Sequence, residues 1–380
     1  MSERDIDGGM AIGEFESESE SERESERVAL TETELPPCCL RVSPLDSSII
    51  VVGTYMLDKQ NSTRYGSIDI YKKNELSLEK LSYVNTEGAV LDLKFSPFTK
   101  NLLVSCHSTG NVMLWKLFNE DDFSLKLELL ANHNLFESSN LITSISFSPI
   151  LSDIILLTLT NGEVAITRLI SNSGLTKPQI FQDKHNLECW TGSFGSQYAL
   201  SNIIFSGGDD GCLQAHDLRE PENLSIFNAK RIHDAGVVSI LPSTITHDHI
   251  GDWNLSRPYD LWTGSYDDCL RTLDLRVISP MPLIDGLIPK IKTKQNLNGG
   301  VWRLIQSPLS NDDRILACCM YDGARIIDIN DEGNPKITKK FKKNHESMCY
   351  GGDWSPDGDY VVTCSFYDKI IQVWSPNLNI

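Results

Sequence analysis

The chain has 380 residues, 40% hydrophobic and 8% aromatic, with a formal net charge of −18. This composition fits a folded soluble protein with a sizeable core, either two average domains or one large all-β domain. The acidic balance argues against nucleic acid, whose phosphates need basic patches.

No apolar run approaches the ~18 to 20 residues needed to cross a bilayer. The start, Met1-Ser2-Glu3-Arg4-Asp5, lacks the apolar segment of a secretory signal, so a cytoplasmic address without membrane insertion is expected. Residues 1–27 hold ten acids and three arginines, a net of −7 that leaves −11 for the remainder. Glu14 to Arg27 alternates Ser and Glu and cannot bury enough apolar surface to offset its ordering entropy. Residues 1–27 are therefore predicted to be a disordered tail, and 28–380 the folded domain.

From Val28 onward short β-rich runs repeat, separated by turn residues. One run ends in Ser-Pro: Leu40 to Pro44, Leu93 to Pro97, Ile145 to Pro149, Leu304 to Pro308 and Gly352 to Pro356. Proline stops each because it has no N–H for the ladder. An apolar run closed by small residues follows, as in Leu102 to Cys106 or Val361 to Ser365, then a tight turn and a third strand such as Val112 to Trp115 or Ile371 to Trp374. Tyr71, Trp115, Thr167, His216, Leu273, Ile327 and Trp374 serve as equivalent anchors, giving seven copies spaced 44 to 57 residues apart. A period near that length, with four short strands per unit, resembles WD-repeat β-propellers with most Trp-Asp dipeptides lost. The expectation is a monomeric all-β seven-bladed propeller. Its last blade would lack an outer strand, which Val28 to Glu34 is predicted to supply. The excursion from His247 to Asp260 in blade five is either functional or mobile.

The ten cysteines contain no Cys-x-x-Cys spacing and mostly sit in apolar strands, so they read as small buried hydrophobes and not metal ligands. No phosphate-cradling loop, dinucleotide fingerprint, HExxH or G-x-S-x-G elbow is present. Propeller blades carry structural His–Ser–Asp–Trp networks. His345, Ser365, Asp368 and Trp374 fit one; His233, Ser265 and Asp267 or Asp268 fit another, as do His185, Ser206 and Asp209 or Asp210.

One stretch exceeds what a strand requires: Gly299-Gly300-Val301-Trp302-Arg303. First-strand starts and second-to-third turns share one face, which brings Trp302, Arg303, Tyr350, Asp353, Tyr266, Asp267, Tyr321, Asp322, Tyr367 and Asp368 to one mouth. Aromatic rings with carboxylates suit a quaternary ammonium.

GGVWR, together with Phe205 to Asp210, His233 to Val237, Thr263 to Asp267, Leu273 to Arg276, Ala317 to Met320, Tyr350 to Ser355 and Ser365 to Asp368, resembles the diphthine methylesterase family, WD-repeat proteins often still named diphthine methyltransferase. The resemblance covers the second half in order. It implies hydrolysis of the methyl ester of methylated diphthine on translation elongation factor 2, with no cofactor, on a substrate side chain bearing a trimethylammonium group. Substrate-binding candidates are Tyr266, Asp267, Gly299, Gly300, Trp302, Tyr321 and Tyr350. For catalysis, Arg303 or the Gly299-Gly300 backbone N–H groups would hold the oxyanion, and His345, His233 or Asp353 would act as base. Two other classes stay open. One is a non-catalytic scaffold. The other is a substrate receptor of a ubiquitin ligase that binds its adaptor through Asp217-Leu218-Arg219 and Asp274-Leu275-Arg276.

Overall fold

The computed structural model describes residues 23–377, apart from 122–123, 172, 221, 223, 246–251, 277–287 and 331. Seven sheets of four or five strands, antiparallel except for one edge pair, follow one another around a central channel. Blade two shows the plan: Val90–Phe95, Leu102–His107, Asn111–Asp121 and Ser124–Asn134 pair in succession from the channel outward. The inner strands of blades one to seven are Pro37–Val42, Val90–Phe95, Ile142–Phe147, Cys189–Phe194, Val237–Pro242, Arg303–Gln306 and Gly351–Trp354.

The second strand of each blade is buried along its whole length, as in Ile49–Thr54 and Leu102–His107. It lies inside its sheet with apolar side chains on both faces, so it reads as a continuous apolar run and not as an alternation. Each face then needs a neighbour. The core accordingly divides into seven clusters, each spanning one blade-to-blade interface. Leu40, Ile50, Val52 and Tyr71 of blade one, for example, pack on Val362, Cys364, Ile371 and Val373 of blade seven.

Closure follows the sequence reading. Arg27–Glu32 pairs antiparallel with Ile370–Trp374 as the outer strand of blade seven. The tail boundary needs correction: Arg23–Glu24 pairs in parallel with Lys339 and Lys340 at the edge of blade six, so described strand structure begins inside the stretch expected to be disordered. Residues 1–22 lie outside the described residues. Part of the blade-five excursion, 247–251, does too. Its later part is a short helix, Asp252–Ser256, anchored by the buried Asn254, whose carbonyl accepts from Gln197 Nε2 at 3.0 Å.

The histidine networks form with a shifted register. His185 joins Ser206 at 2.9 Å and Asp210 at 3.0 Å as expected. In blades five and seven the hydroxyl is Thr263 or Thr363, two residues before Ser265 and Ser365, because those threonines occupy the strand position of Ser206. Trp374 Nε1 donates to Thr363 Oγ1 at 3.1 Å. Asp368 accepts from the backbone of Glu346 and Ser347 and caps that loop without touching the ring. His107, Ser105 and Trp115 build an analogous triad in blade two, at 2.8 Å for each bond.

Deleting residues 1–35 is expected to lower the melting temperature far beyond the effect of trimming a surface loop, because it exposes the edge of blade seven; an unchanged calorimetric melt would contradict this closure. Burial holds His107 and His345 at about 4, below the ordinary 6.5. A group with a depressed folded value stabilises fully above the unfolded value and loses that contribution as pH falls. Stability should therefore drop between pH 6.5 and 4, by at most about 3 kcal/mol per histidine, and denaturant titrations of His345→Gln should show a shallower fall.

Candidate functional site

The inner strands carry a recurring irregularity that sets the channel chemistry. In blades one to five the register with the second strand slips after the first strand residue, leaving Cys38, Leu91, Thr143, Trp190 and Val238 as the extra residue. A bulge re-aims the side chain it frees. Trp302 and Tyr350 hold the same place in blades six and seven, just ahead of Arg303–Gln306 and Gly351–Trp354. The channel is thus layered. The bulge residues form the upper tier, which includes Trp190, Trp302 and Tyr350. One residue on come Asp92 and Arg303, with small residues elsewhere. Two further on come Arg41, Lys94 and Asp353, on the consecutive blades one, two and seven.

The upper tier is an aromatic group centred on Trp302, whose ring lies 4.9 Å from Tyr350, 5.7 Å from Trp190 and 6.0 Å from Tyr266. Phe366 continues it at 5.5 Å from Tyr350, and the exposed Tyr367 stands edge-on to Phe366. The rings pack against one another, so a cation would rest on their outer faces and not in a hollow box. Gly299 and Gly300 make this packing possible. A Cβ on Gly299 would lie 2.2 Å from the Cys319 carbonyl, and one on Gly300 would lie 2.5 Å from Met320 Sδ.

The carboxylates expected at the mouth are mostly committed elsewhere. Asp267 binds His233 and Arg271 and caps Asp234 N and Cys269 N. Asp322 pairs with Arg325 and Lys342. Tyr321 lies on the rim and donates to Asp268 at 2.6 Å. Glu188 and Asp209 act electrostatically on Tyr266, whose hydroxyl is pushed up by burial and then by Asp209, Tyr350 and Glu188. Their elements are tied by Asp209 N donating to the Glu188 carbonyl at 2.8 Å.

Below the rings lies a cavity of about 170 Å3, walled by Trp190, Trp302, Arg303, Asp92, Arg41 and Lys94, with Thr143 to Ser146 and Val238 to Leu241 opposite. Arg303 reaches across the channel to Asp92, Nη2 to Oδ1 3.2 Å, and donates from Nε to the Tyr350 carbonyl at 3.3 Å. Asp92, 1% exposed, also accepts from Ile145 N at 3.2 Å, so blades two, three and six meet on one carboxylate. Burial alone would raise Asp92, but Arg303, with Lys94 and Arg41, holds it below the usual carboxylate range. Asp353 is shifted the other way, upward by burial despite Arg41, and its Oδ2 accepts from Val42 N at 2.9 Å. Burial and then Arg41 lower Lys94 to about 7.

The structure thus brings Arg303, Trp302, Tyr350 and Tyr266 together and leaves His345 and His233 apart. Both histidines are buried inside blade networks, His345 fully so, and neither lines the cavity. That placement removes them as bases for a channel ligand. Sequence reasoning missed Trp190, Glu188, Asp209, Asp92 and Lys94. Aligning Cys189-Trp190 with Val301-Trp302 and Cys349-Tyr350 would have found the first. Burial pushes the Cys38 thiol to about 12, far from a ready thiolate. The two Asp-Leu-Arg tripeptides close on themselves: Arg219 pairs with Asp217 and Arg276 with Asp274. A wider groove of about 990 Å3 lies on the opposite face between loops of blades one and two, but its lining, including Lys72, Glu79, Asn101 and Asn119, offers no group of rings.

A WD domain, G-beta repeat model matches residues 336–375. Diphthine methyltransferase of Saccharomyces cerevisiae is 40% identical over 387 residues, covering 90% of this chain and 96% of that protein. The Schizosaccharomyces pombe diphthine methyltransferase is 34% identical over 344 residues, covering 90% and 95%. A chain in the crystal structure of a mitotic checkpoint complex superposes with a TM-score of 0.67 over 98% of this chain and 100% of that one, at 14% identity, a likeness of fold alone. Among the described residues, no helix is long and apolar enough to cross a membrane.

Replacing Arg303 with Met strands Asp92 without a counter-charge and is expected to cost about 3 kcal/mol or more. Adding Asp92→Asn should restore most of it, measured as non-additivity in chemical denaturation.

Proposed function

The chain belongs to the diphthine methyltransferase family, and from that premise we propose that it hydrolyses the methyl ester of methylated diphthine on translation elongation factor 2, releasing diphthine and methanol in a late step of diphthamide biosynthesis. The observation that carries the reading is the aromatic group around Trp302, set above a small charged cavity, with Glu188 and Asp209 acting electrostatically on its Tyr266. A trimethylammonium group is attracted to ring faces and to nearby carboxylates. A rim site also suits a side chain presented on the surface of a large protein, since the rings stand at the channel mouth.

Hydrolysis agrees with the dimensions. A cavity of about 170 Å3 takes an ester group and a water. In this reading Arg303, a fixed cation in the cavity wall, would stabilise the oxyanion, and Trp190 of the same wall, whose Nε1 has no hydrogen-bond partner among the described residues, would be a second donor. The self-paired Asp-Leu-Arg tripeptides give the ubiquitin-ligase reading no support.

The test is methanol release from elongation factor 2 carrying methylated diphthine, using purified protein. Trp302→Ala should raise KM about tenfold, the loss of one ring–ammonium contact, and Arg303→Met should lower kcat about 10²-fold. A folded wild-type protein that releases no methanol would refute the reading.

A further inference from the structure

Ester hydrolysis needs a group that removes a proton from the attacking water, and the expected histidines are enclosed in blades five and seven. Among the described residues that line the cavity, four have titratable side chains: Arg41, Asp92, Lys94 and Arg303. The two guanidinium groups stay protonated, and Asp92 is bound to Arg303 and to backbone N–H groups. Asp353 lies outside the cavity wall, with one oxygen taken by Val42 N. Lys94 is left. Its ammonium makes no hydrogen bond or salt bridge among the described residues, although two carboxylates and two guanidinium groups act on it from around the channel.

We propose that Lys94, in the cavity wall below Trp302, is the general base of the reaction. The assignment rests on the esterase reading above. The neutral amine takes a proton from water as the water oxygen adds to the ester carbonyl carbon, and the carbonyl electron pair moves onto oxygen beside Arg303. The tetrahedral intermediate collapses with cleavage of the bond to the methoxy group, which leaves with the proton returned by the Lys94 ammonium, as methanol. The new carboxylic acid releases its proton to solvent, and Lys94 is neutral again.

The surroundings prepare the amine for this. Arg41 stands on the adjacent strand of blade one and Arg303 on blade six, and both disfavour a third positive charge. Asp92, on the same strand, and Asp353, on blade seven, favour it. Blades three to five face the cavity with Ser, Thr, Trp and aliphatic residues and add no charge. Enclosure by the ring outweighs the two carboxylates, so the amine lies at about 7 and is half neutral near physiological pH, where a base is most effective.

For the full-length protein, kcat/KM for methanol release should rise about tenfold per pH unit below 7 and level off above it. Lys94→Met and Lys94→Arg should each lose about 10²-fold or more in kcat with an unchanged melt. The arginine variant decides between roles, because it keeps the positive charge and cannot act as a base. Activity in Lys94→Arg within threefold of wild type would overturn the proposal. Should both variants unfold, competitive acetylation of the wild-type lysines, read by mass spectrometry against pH, gives the same decision: a Lys94 midpoint near 7 supports the proposal, and one above 9.5 overturns it. A wild type that releases no methanol refutes the esterase reading and this assignment with it, whereas an active wild type with an active Lys94→Arg refutes the assignment alone.

Discussion

A four-stranded sheet that is apolar on both faces has no stable place in water by itself, and this constraint governs the whole molecule. Each blade hides its two faces against its neighbours, so seven interfaces must form in a closed circuit. The final interface has the same composition as the others, with Leu40 and Ile50 against Val362 and Ile371. Closure holds seven inner strands side by side around one axis, and only in that arrangement do residues over two hundred positions apart, such as Asp92 and Arg303, come into contact.

The circuit brings charges inward that it must then compensate. Asp92 is nearly inaccessible and is met by a guanidinium from across the channel and by backbone N–H groups from its own and the next blade. Arg41 donates to the Gly352 carbonyl while Asp353 accepts from Val42 N, a reciprocal stitch between blades one and seven. These contacts fix the strand starts, and with them the rings of the upper tier. The aromatic tier and the charged channel are therefore mechanically one unit: Arg303 touches both Asp92 and the carbonyl of Tyr350, whose ring packs on Trp302.

The fold was legible because its signals are local and repeated: Ser-Pro strand endings, fully apolar second strands and a regular period. Gly299 to Arg303 stood out correctly, since two adjacent glycines before a tryptophan mark a close backbone approach. What escaped depends on register. A bulge displaces the inward-facing set by one residue, so Trp190, Lys94 and Asp92 cannot be placed in the channel by counting alternation from the strand end. In the blade-seven network the hydroxyl is Thr363, two residues before Ser365 on the same face of an unbulged strand, so alternation alone does not choose between them. Asp267 and Asp322 were plausible ligands by position, but His233, Arg271 and Arg325 satisfy them, and nothing in a linear reading reveals which partner reaches a turn aspartate first.

The pairing of Arg27–Glu32 with Ile370–Trp374 has a consequence for how the molecule comes into being. This strand is made early and paired last, because its partner leaves the ribosome more than three hundred residues later. Until then blade seven does not exist and blade one presents Leu40, Ile50 and Tyr71 to solvent, so the growing chain carries an apolar face and an unmatched strand throughout translation. Final assembly is then a single late event that buries both sides at once and completes the channel in the same step. The site at its mouth cannot exist in any partially finished chain.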